Sequence, residues 1–186
     1  MKGRLLLILI VAIFVAPILL AWAFVAGLFD WRGQGMLNKG VLLREPVMLA
    51  QPLGEPARVL LGFNGTWSIL YLGDGDCGQA CLSVLDNLHK VYELTGHEQT
   101  RVRLFFAQGG SAGGRPFEFP EFTGLALAPG AADRLAAAVY EETGVRRPLI
   151  GLVDHRGALM MVYRGSADPR AILDDLRRLL RASDTG

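Results

Sequence analysis

The spacing of apolar positions from residue 58 onward predicts an alternation of strands and helices. Short apolar runs at residues 59–63, 67–72 and 101–107 indicate strands. Residues 79–94 instead carry apolar side chains at the roughly 3.6-residue spacing of a helix. The apolar face of that helix consists of Cys81, Val84, Leu85, Leu88, Val91 and Tyr92. This region therefore begins as strand, strand, helix, strand.

The pattern continues toward the C-terminus. After a Gly-rich loop at residues 109–114, an Ala-rich helix is predicted at residues 131–142 and ends at Gly144. Strands at residues 149–153 and 158–163 are joined by a tight turn, which is typical of a hairpin. The whole order indicates an α/β domain.

The last predicted helix starts at Asp168 and has Pro169 in its first turn, where proline is tolerated. Its apolar face consists of Ile172, Leu173, Leu176, Leu179 and Leu180. With this helix the element order resembles that of a thioredoxin-like domain.

The N-terminal region has a different pattern. Residues 5–29 contain no charged side chain over 25 positions, which is enough for a helix to cross a hydrocarbon core of about 30 Å. Lys2 and Arg4 precede this run, as in a signal peptide or a signal anchor. The form Ala21-Trp22-Ala23 fits a cleavage site, but the apolar run continues past it, which favours an uncleaved anchor.

These features predict three segments. Residues 1–29 form a single transmembrane helix, residues 30–57 form a Gly/Pro-rich tether and N-terminal arm, and residues 58–186 form the folded domain. The orientation places the domain in the bacterial periplasm, with the anchor in the inner membrane. An oxidising compartment of that kind allows disulfide chemistry.

Charge and common motifs exclude several functions. The chain has 19 basic and 18 acidic side chains with no basic cluster, which argues against a nucleic-acid partner. The usual nucleotide-binding, zinc-protease and serine-hydrolase motifs are absent.

The candidate chemistry lies in Cys77 and Cys81, the two cysteines of the chain. They follow the strand at residues 67–72 and open the next helix, so they lie on one helix face about 6 Å apart. That spacing suits a reversible disulfide and also a soft metal ion held by two thiolates. A structural staple or a pair of buried side chains is the alternative, although so short a loop would contribute little stability.

Residues 65–81, which read GTWSILYLGDGDCGQAC, resemble the signature of the SCO/SenC family of cytochrome oxidase copper-site assembly proteins. Residues 38–46, which read NKGVLLREP, resemble the stretch that this family has between anchor and domain. The resemblance implies a membrane-anchored thioredoxin-like fold, a role in oxidase assembly, and Cu(I) bound by Cys77 and Cys81. It also implies that Pro148 is a cis-proline packed against the cysteine motif.

The chain departs from the family pattern at three places. Gly78 and Leu82 stand where the family has prolines, and the position of the family's copper-binding histidine falls on or near Arg146. An arginine cannot ligate copper, because it stays protonated and offers no lone pair. The histidines of this chain are His89, His97 and His155, and the predicted elements place each of them far from the motif.

The charged residues near the motif predict opposite effects on its thiols. Arg146 and Arg147, beside Pro148, would favour a thiolate at Cys77 as the attacking sulfur. Asp74 and Asp76 in the preceding loop would raise the thiol pKa, so the net sign stays open. The predicted site consists of Cys77, Cys81, Pro148 and Arg146.

Three functions follow from the sequence. The first is a membrane-anchored SCO-like protein that assists oxidase assembly by thiol-disulfide exchange with an oxidase subunit or a copper chaperone. The second is a Cu(I) metallochaperone that uses the two cysteines. The third is a general periplasmic thiol-disulfide oxidoreductase, against which the absence of the usual CxxC spacing argues.

Overall fold

The computed structural model describes residues 3–4, 13–19, 22, 38–49, 65–108, 119–125 and 127–183. The chain divides into two units, residues 1–37 and residues 38–186. In the first unit, residues 13–19 are helical. Among the described residues, no helix has the length and apolar character needed to cross a membrane. Most of the predicted span at residues 5–29 lies outside them, so the transmembrane helix stays a prediction.

The described residues of the second unit form a six-stranded sheet with the strand order β1-β6-β5-β2-β3-β4. The strands are β1 (Val41–Met48), β2 (Trp67–Gly73), β3 (Val102–Gln108), β4 (Phe122–Leu125), β5 (Leu149–Val153) and β6 (Ala158–Arg164). Strand β3 runs parallel to β2 and β4, whereas the β2–β5, β5–β6 and β6–β1 pairs are antiparallel. The sheet is therefore mixed.

Helices cover both faces of this sheet. They are α1 (Gln79–Glu93), α2 (Ala131–Thr143) and α3 (Pro169–Ser183), and a 3₁₀ segment covers Gly96–Arg101. Because side chains alternate along a strand, β2 contributes Ile69 and Tyr71 to the core under α1 and α3. It contributes Leu70 and Leu72 to the core under α2. The molecule thus has an α/β/α layer arrangement, and the predicted α/β class is confirmed.

Most predicted elements agree with the structure to within two residues. Those are β2, β3, β5, β6 and the three helices, with Asp168 accepting a hydrogen bond from the amide of Arg170 just before α3. Of the elements that the structure describes, three were missed as such, namely β1, β4 and the 3₁₀ segment. The predicted strand at residues 59–63 and the loop at residues 109–114 lie outside the described residues. The boundaries of the three predicted segments stay a prediction.

Strand β1 lies within the region predicted as a tether and arm, and a buried carboxylate holds its start. The Oδ2 atom of Asp175 on α3 accepts hydrogen bonds from the amides of Lys39 at 2.7 Å and Gly40 at 3.0 Å. It also accepts one from the hydroxyl of Tyr163 at 2.8 Å. Burial, and then the Asp175 carboxylate, raise the pKa of Tyr163 far above its ordinary value. Strand β1 is therefore part of the folded domain.

Candidate functional site

Cys77 and Cys81 lie at the start of α1, directly after the loop that follows β2. They form a disulfide with a Cα–Cα distance of 5.2 Å. Both are half-buried and pack against the core under α1 and α3. Apolar packing of α1 against the sheet therefore holds the sulfur pair at the carboxyl end of β2.

The start of α1 is electrostatically suited to a thiolate. Gly78 is the residue before the helix, and no side chain caps the first amides. The first turn contains no acidic residue. Uncapped amides give a helix N-terminus a positive potential, which stabilises a nearby thiolate. After reduction, this potential favours negative charge on Cys77, whereas the carboxylates of Asp74 and Asp76 in the adjacent cleft oppose it.

Pro148 immediately precedes β5, which pairs with β2 and so brings the proline to the same end of the sheet. The peptide bond between Arg147 and Pro148 is cis, as the family resemblance implied. The amide of Gly165 donates a hydrogen bond to the carbonyl oxygen of Pro148 at 2.8 Å. A Cβ atom at Gly165 would lie 2.9 Å from Cγ and 3.0 Å from the oxygen of Pro148. A glycine at position 165 is therefore needed for this close approach.

Arg147 links the motif loop to α2. One of its guanidinium nitrogens lies 3.6 Å from Oδ1 of Asp74 and 2.6 Å from Oδ1 of Asp133. The arginine side chain is 18% exposed. The sequence predicted opposite effects of Arg147 and Asp74 on the thiols, and the structure shows that these two charges compensate each other. The contact with Asp133 was missed, because it requires α2 to lie beside β5.

Arg146 points to a different neighbour. Its guanidinium carbon lies 4.6 Å from the centre of the Tyr140 ring, and a guanidinium nitrogen donates a hydrogen bond to the Tyr140 hydroxyl at 3.0 Å. Tyr140 lies on the exposed side of α2. Arg146 does not line the cleft that contains Cys81. The structure thus groups Cys77, Cys81 and Pro148, with Arg146 outside that group.

Two clefts meet at Pro148. The first, of about 310 Å³, is lined by Tyr71, Gly73, Asp74, Gly75, Asp76, Gly78, Gln79, Ala80, Cys81 and Pro148. The second, of about 480 Å³, is lined by Gly144, Arg146, Arg147, Pro148, Arg164, Gly165 and Ser166. Burial, and then the charge of Asp74, raise the pKa of the Tyr71 hydroxyl above its ordinary value. The disulfide is therefore reached from an open groove that Pro148 divides.

The residues of the motif do not complete the three-ligand copper set of the SCO resemblance. His89 lies 3.5 Å from Glu93 and 3.4 Å from Glu121, and the side chain of His97 is 92% exposed. His155 lies in the β5–β6 turn and lines a cleft with Gly65 and Trp67. Within the described ranges, no three His, Cys, Asp or Glu side chains are grouped closely enough to hold a metal ion. Among the described residues, the two cysteines of the motif have the side chains suited to a soft metal ion once they are reduced.

Solved structures similar to this chain include Sco proteins. Copper-bound ScoI from Arabidopsis thaliana aligns at 17% identity with a TM-score of 0.51, over 66% of this chain and 88% of that one. The apo Sco1 protein from Thermus thermophilus aligns at 21% identity with a TM-score of 0.49, over 64% of this chain and 83% of that one. The Arabidopsis match confirms the predicted SCO likeness at the level of the thioredoxin-like fold.

No curated protein matches the sequence. A family model does match, and it covers residues 67–183, from the first residue of β2 to the last residue of α3. It is the model described as "Transmembrane-like, thioredoxin-like, C-terminal domain". With well over half of its residues matched and the same fold observed, the chain belongs to this transmembrane-like, thioredoxin-like family.

Proposed function

We propose that this protein is an SCO-like thiol-disulfide exchange protein that assists the assembly of a copper-containing cytochrome oxidase. The observation that carries the proposal is the Cys77–Cys81 disulfide at an uncapped helix N-terminus, beside the cis-proline Pro148. An open groove is lined by Cys81, so a partner can approach the disulfide. A structural staple needs neither the open groove nor the cis-proline.

The exchange proceeds through a mixed disulfide. In the reduced protein, the Cys77 thiolate attacks one sulfur of a partner disulfide, and the partner's other sulfur leaves as a thiolate. The Cys81 thiolate then attacks Cys77, which releases the second partner thiolate. Two electrons pass to the partner, whose thiolates take up the two protons released by the cysteines. Run backwards, the same steps oxidise a partner dithiol.

The setting of the reaction is also a proposal. The uncharged run at residues 5–29 supports an uncleaved single-pass anchor in the bacterial inner membrane. The cysteine pair supports a periplasmic location for the domain, because disulfides persist in oxidising compartments. The partner is then an oxidase subunit or a copper chaperone on the same side of the membrane.

Single-cysteine variants of the full chain, kept in a mild detergent, test the exchange. Cys81→Ser is expected to accumulate a mixed disulfide with a disulfide-bonded protein or peptide, because the resolving sulfur is gone. Cys77→Ser is its matched control and should trap far less. Equal trapping by both variants, or none by either, would contradict the assigned order of attack.

The oxidase link needs a test in cells. In a strain that lacks this chain, copper bound per oxidase should fall, and the wild-type gene but not the Cys77→Ser gene should restore it. An unchanged copper content in the deletion strain would remove the oxidase from the proposal while leaving the exchange chemistry intact.

Cu(I) transport by two thiolates is the second candidate. After reduction, the 5.2 Å Cα–Cα spacing allows both sulfurs to reach one ion, and the Arabidopsis protein with this fold carries copper. An anaerobic Cu(I) titration of the full chain against a chromophoric chelator tests it, with Cys77→Ser/Cys81→Ser as the control. One equivalent bound only by the wild type would support the carrier. Absence of binding would leave the exchange function.

A further inference from the structure

The cleft on the far side of Pro148 is basic. Three arginines line it, namely Arg146, Arg147 and Arg164, and none of its lining residues in the described part of the chain is Asp or Glu. Its volume is about 480 Å³ and it opens to solvent next to the motif. The overall charge of the chain is only +1, so this concentration of positive charge is local.

The three arginines differ in how their charge is compensated. Arg147 is neutralised by its two ion pairs with Asp74 and Asp133. The Arg146 guanidinium stacks on the Tyr140 ring and donates a hydrogen bond to the Tyr140 hydroxyl. These contacts restrict the side chain without offsetting its positive charge. Arg164 is exposed at the end of β6, and within the part of the chain that the structure describes no carboxylate pairs with it. Two positive charges therefore remain free to attract a ligand.

The cleft on the motif side has the opposite character. Asp74 and Asp76 line it, and no Lys or Arg does so among the residues that the structure describes. Pro148 belongs to both clefts, so the groove changes from acidic to basic across the proline. A partner segment that lies along the groove meets negative charge beside the disulfide and positive charge beyond Pro148.

We propose that the substrate of this site is a protein segment that carries acidic side chains a few residues away from its reactive cysteines. The cysteines reach the disulfide in the first cleft, and the acidic side chains lie over Arg146 and Arg164 in the second. This inference rests on the proposed thiol-disulfide exchange and names its substrate class. The covalent steps of the exchange are unchanged. The arginines increase the rate at which the partner segment meets the groove and fix its position along the groove.

Synthetic peptides provide the test. Two peptides of equal length share one cysteine pair, and the flank carries four Glu in one and four Gln in the other. The probe reaction is the reduction of Cys77–Cys81 in the oxidised full chain, in nonionic detergent, by the peptide dithiol. Each rate is divided by the rate of the same peptide with hydroxyethyl disulfide, which corrects for the effect of its flank on thiol reactivity.

The Glu peptide is expected to react roughly threefold to tenfold faster than the Gln peptide at low ionic strength. This preference should shrink toward unity at about 0.5 M salt, where the charges are screened. Arg164→Glu and Arg146→Glu should abolish or invert it. Arg156→Glu is the matched control, because Arg156 is an exposed arginine in the turn at the opposite end of β6.

Equal corrected rates for the two peptides in the wild type would overturn the acidic-substrate proposal while leaving the exchange function standing. Loss of the preference in Arg156→Glu would overturn it as well, because the effect would then follow net charge and not the cleft.

A binding measurement separates the two proposals. Cys77→Ser/Cys81→Ser is titrated with a fluorescent Glu peptide whose cysteines are replaced by serine, and anisotropy is followed. If Arg164→Glu weakens this binding severalfold, the basic cleft is supported as the site of the acidic side chains. If, in addition, no peptide reduces the disulfide, the exchange function is contradicted while the basic cleft still stands. Equal binding of the Glu and Gln peptides would overturn the proposal that the basic cleft binds acidic side chains.

Discussion

Asp175→Ala tests the attachment of β1 to the domain. The substitution removes the acceptor of three hydrogen bonds, from the amides of Lys39 and Gly40 and from the hydroxyl of Tyr163. Asp175 is 1% exposed, so the three donors lose their partner where water reaches them poorly. A buried donor left without a partner costs about 1–3 kcal/mol. The two backbone amides can move into solvent, so each is expected to cost about 1 kcal/mol, the low end of that range. With about 1–3 kcal/mol for the Tyr163 hydroxyl, we expect the free energy of unfolding to fall by about 3–5 kcal/mol.

Urea unfolding of the full chain, followed by circular dichroism, measures this loss. Asp174→Ala is the control, because Asp174 is the neighbouring residue on α3 and pairs with Lys39 through an exposed contact at 3.0 Å. Its effect should be far smaller, since exposed ion pairs contribute little. Asp175→Asn should fall between the two, because an amide oxygen accepts these bonds without the charge. A loss below about 1 kcal/mol for Asp175→Ala would refute the reasoning, because a single unpaired buried donor already costs that much.

Three further outcomes are expected. Reduction of the Cys77–Cys81 disulfide should lower the free energy of unfolding by about 2 kcal/mol, because it closes a loop of only five residues, and the double serine variant should not respond to reductant. Gly165→Ala should cost about 1–3 kcal/mol in unfolding experiments and slow thiol exchange with a peptide, because the added methyl displaces Pro148. Above pH about 10, the unfolded chain loses the Tyr163 proton while the folded chain keeps it, so stability should fall as pH rises; Tyr163→Phe should reduce that fall in urea titrations between pH 8 and 11.

Each of these outcomes has a control or a contradicting result. Gly78→Ala is the control for position 165 in the unfolding experiment, because a methyl group at position 78 meets nothing within 4 Å. An identical decline of stability above pH 10 in Tyr163→Phe would place the titrating group elsewhere. Unchanged stability on reduction would contradict the stabilisation expected from closing this loop.

The elements that the sequence predicted are those with one or both faces buried. Strand β2 reads as apolar because both of its faces are covered, by α1 and α3 on one side and by α2 on the other. Helix α3 shows its core face at Ile172, Leu176 and Leu180, all of which are buried. Hydrophobic spacing reports this kind of burial directly, so these elements could be placed without tertiary information.

The missed elements depend on other interactions. Strand β4 has four residues and contains Gly124, so it is too short for a periodic signal. Strand β1 alternates irregularly because it lies at the sheet edge and its register shifts between Leu42 and Val47. The start of β1 is held by Asp175 on α3. The sequence signal available for this contact was the position of Asp175 among the apolar residues of that helix. An aspartate on a core face marks a buried partner but does not identify it.

The sequence predicted which residues belong to the site but not how they are arranged in space. The CxxxC spacing placed both sulfurs on α1, and the family resemblance supplied the cis-proline. The pairing of Arg147 with Asp133 depends on how β5 and α2 are packed, and no local pattern reports it. For the same reason the sequence assigned Arg146 to the motif, although its neighbour is Tyr140 on α2.

Strand β1 lies outside the part of the chain that the family model matches, yet it belongs to the sheet of this chain. The family match begins at residue 67, whereas the sheet begins at Val41. A fragment cut at residue 67 would expose the hydrogen-bonding edge of β6 and leave the Asp175 carboxylate without its two amide donors. Such an uncovered edge is a template for pairing between molecules. Biochemical work on this domain should therefore begin no later than Asn38, and aggregation of shorter fragments would reflect the missing strand and not an unstable family fold.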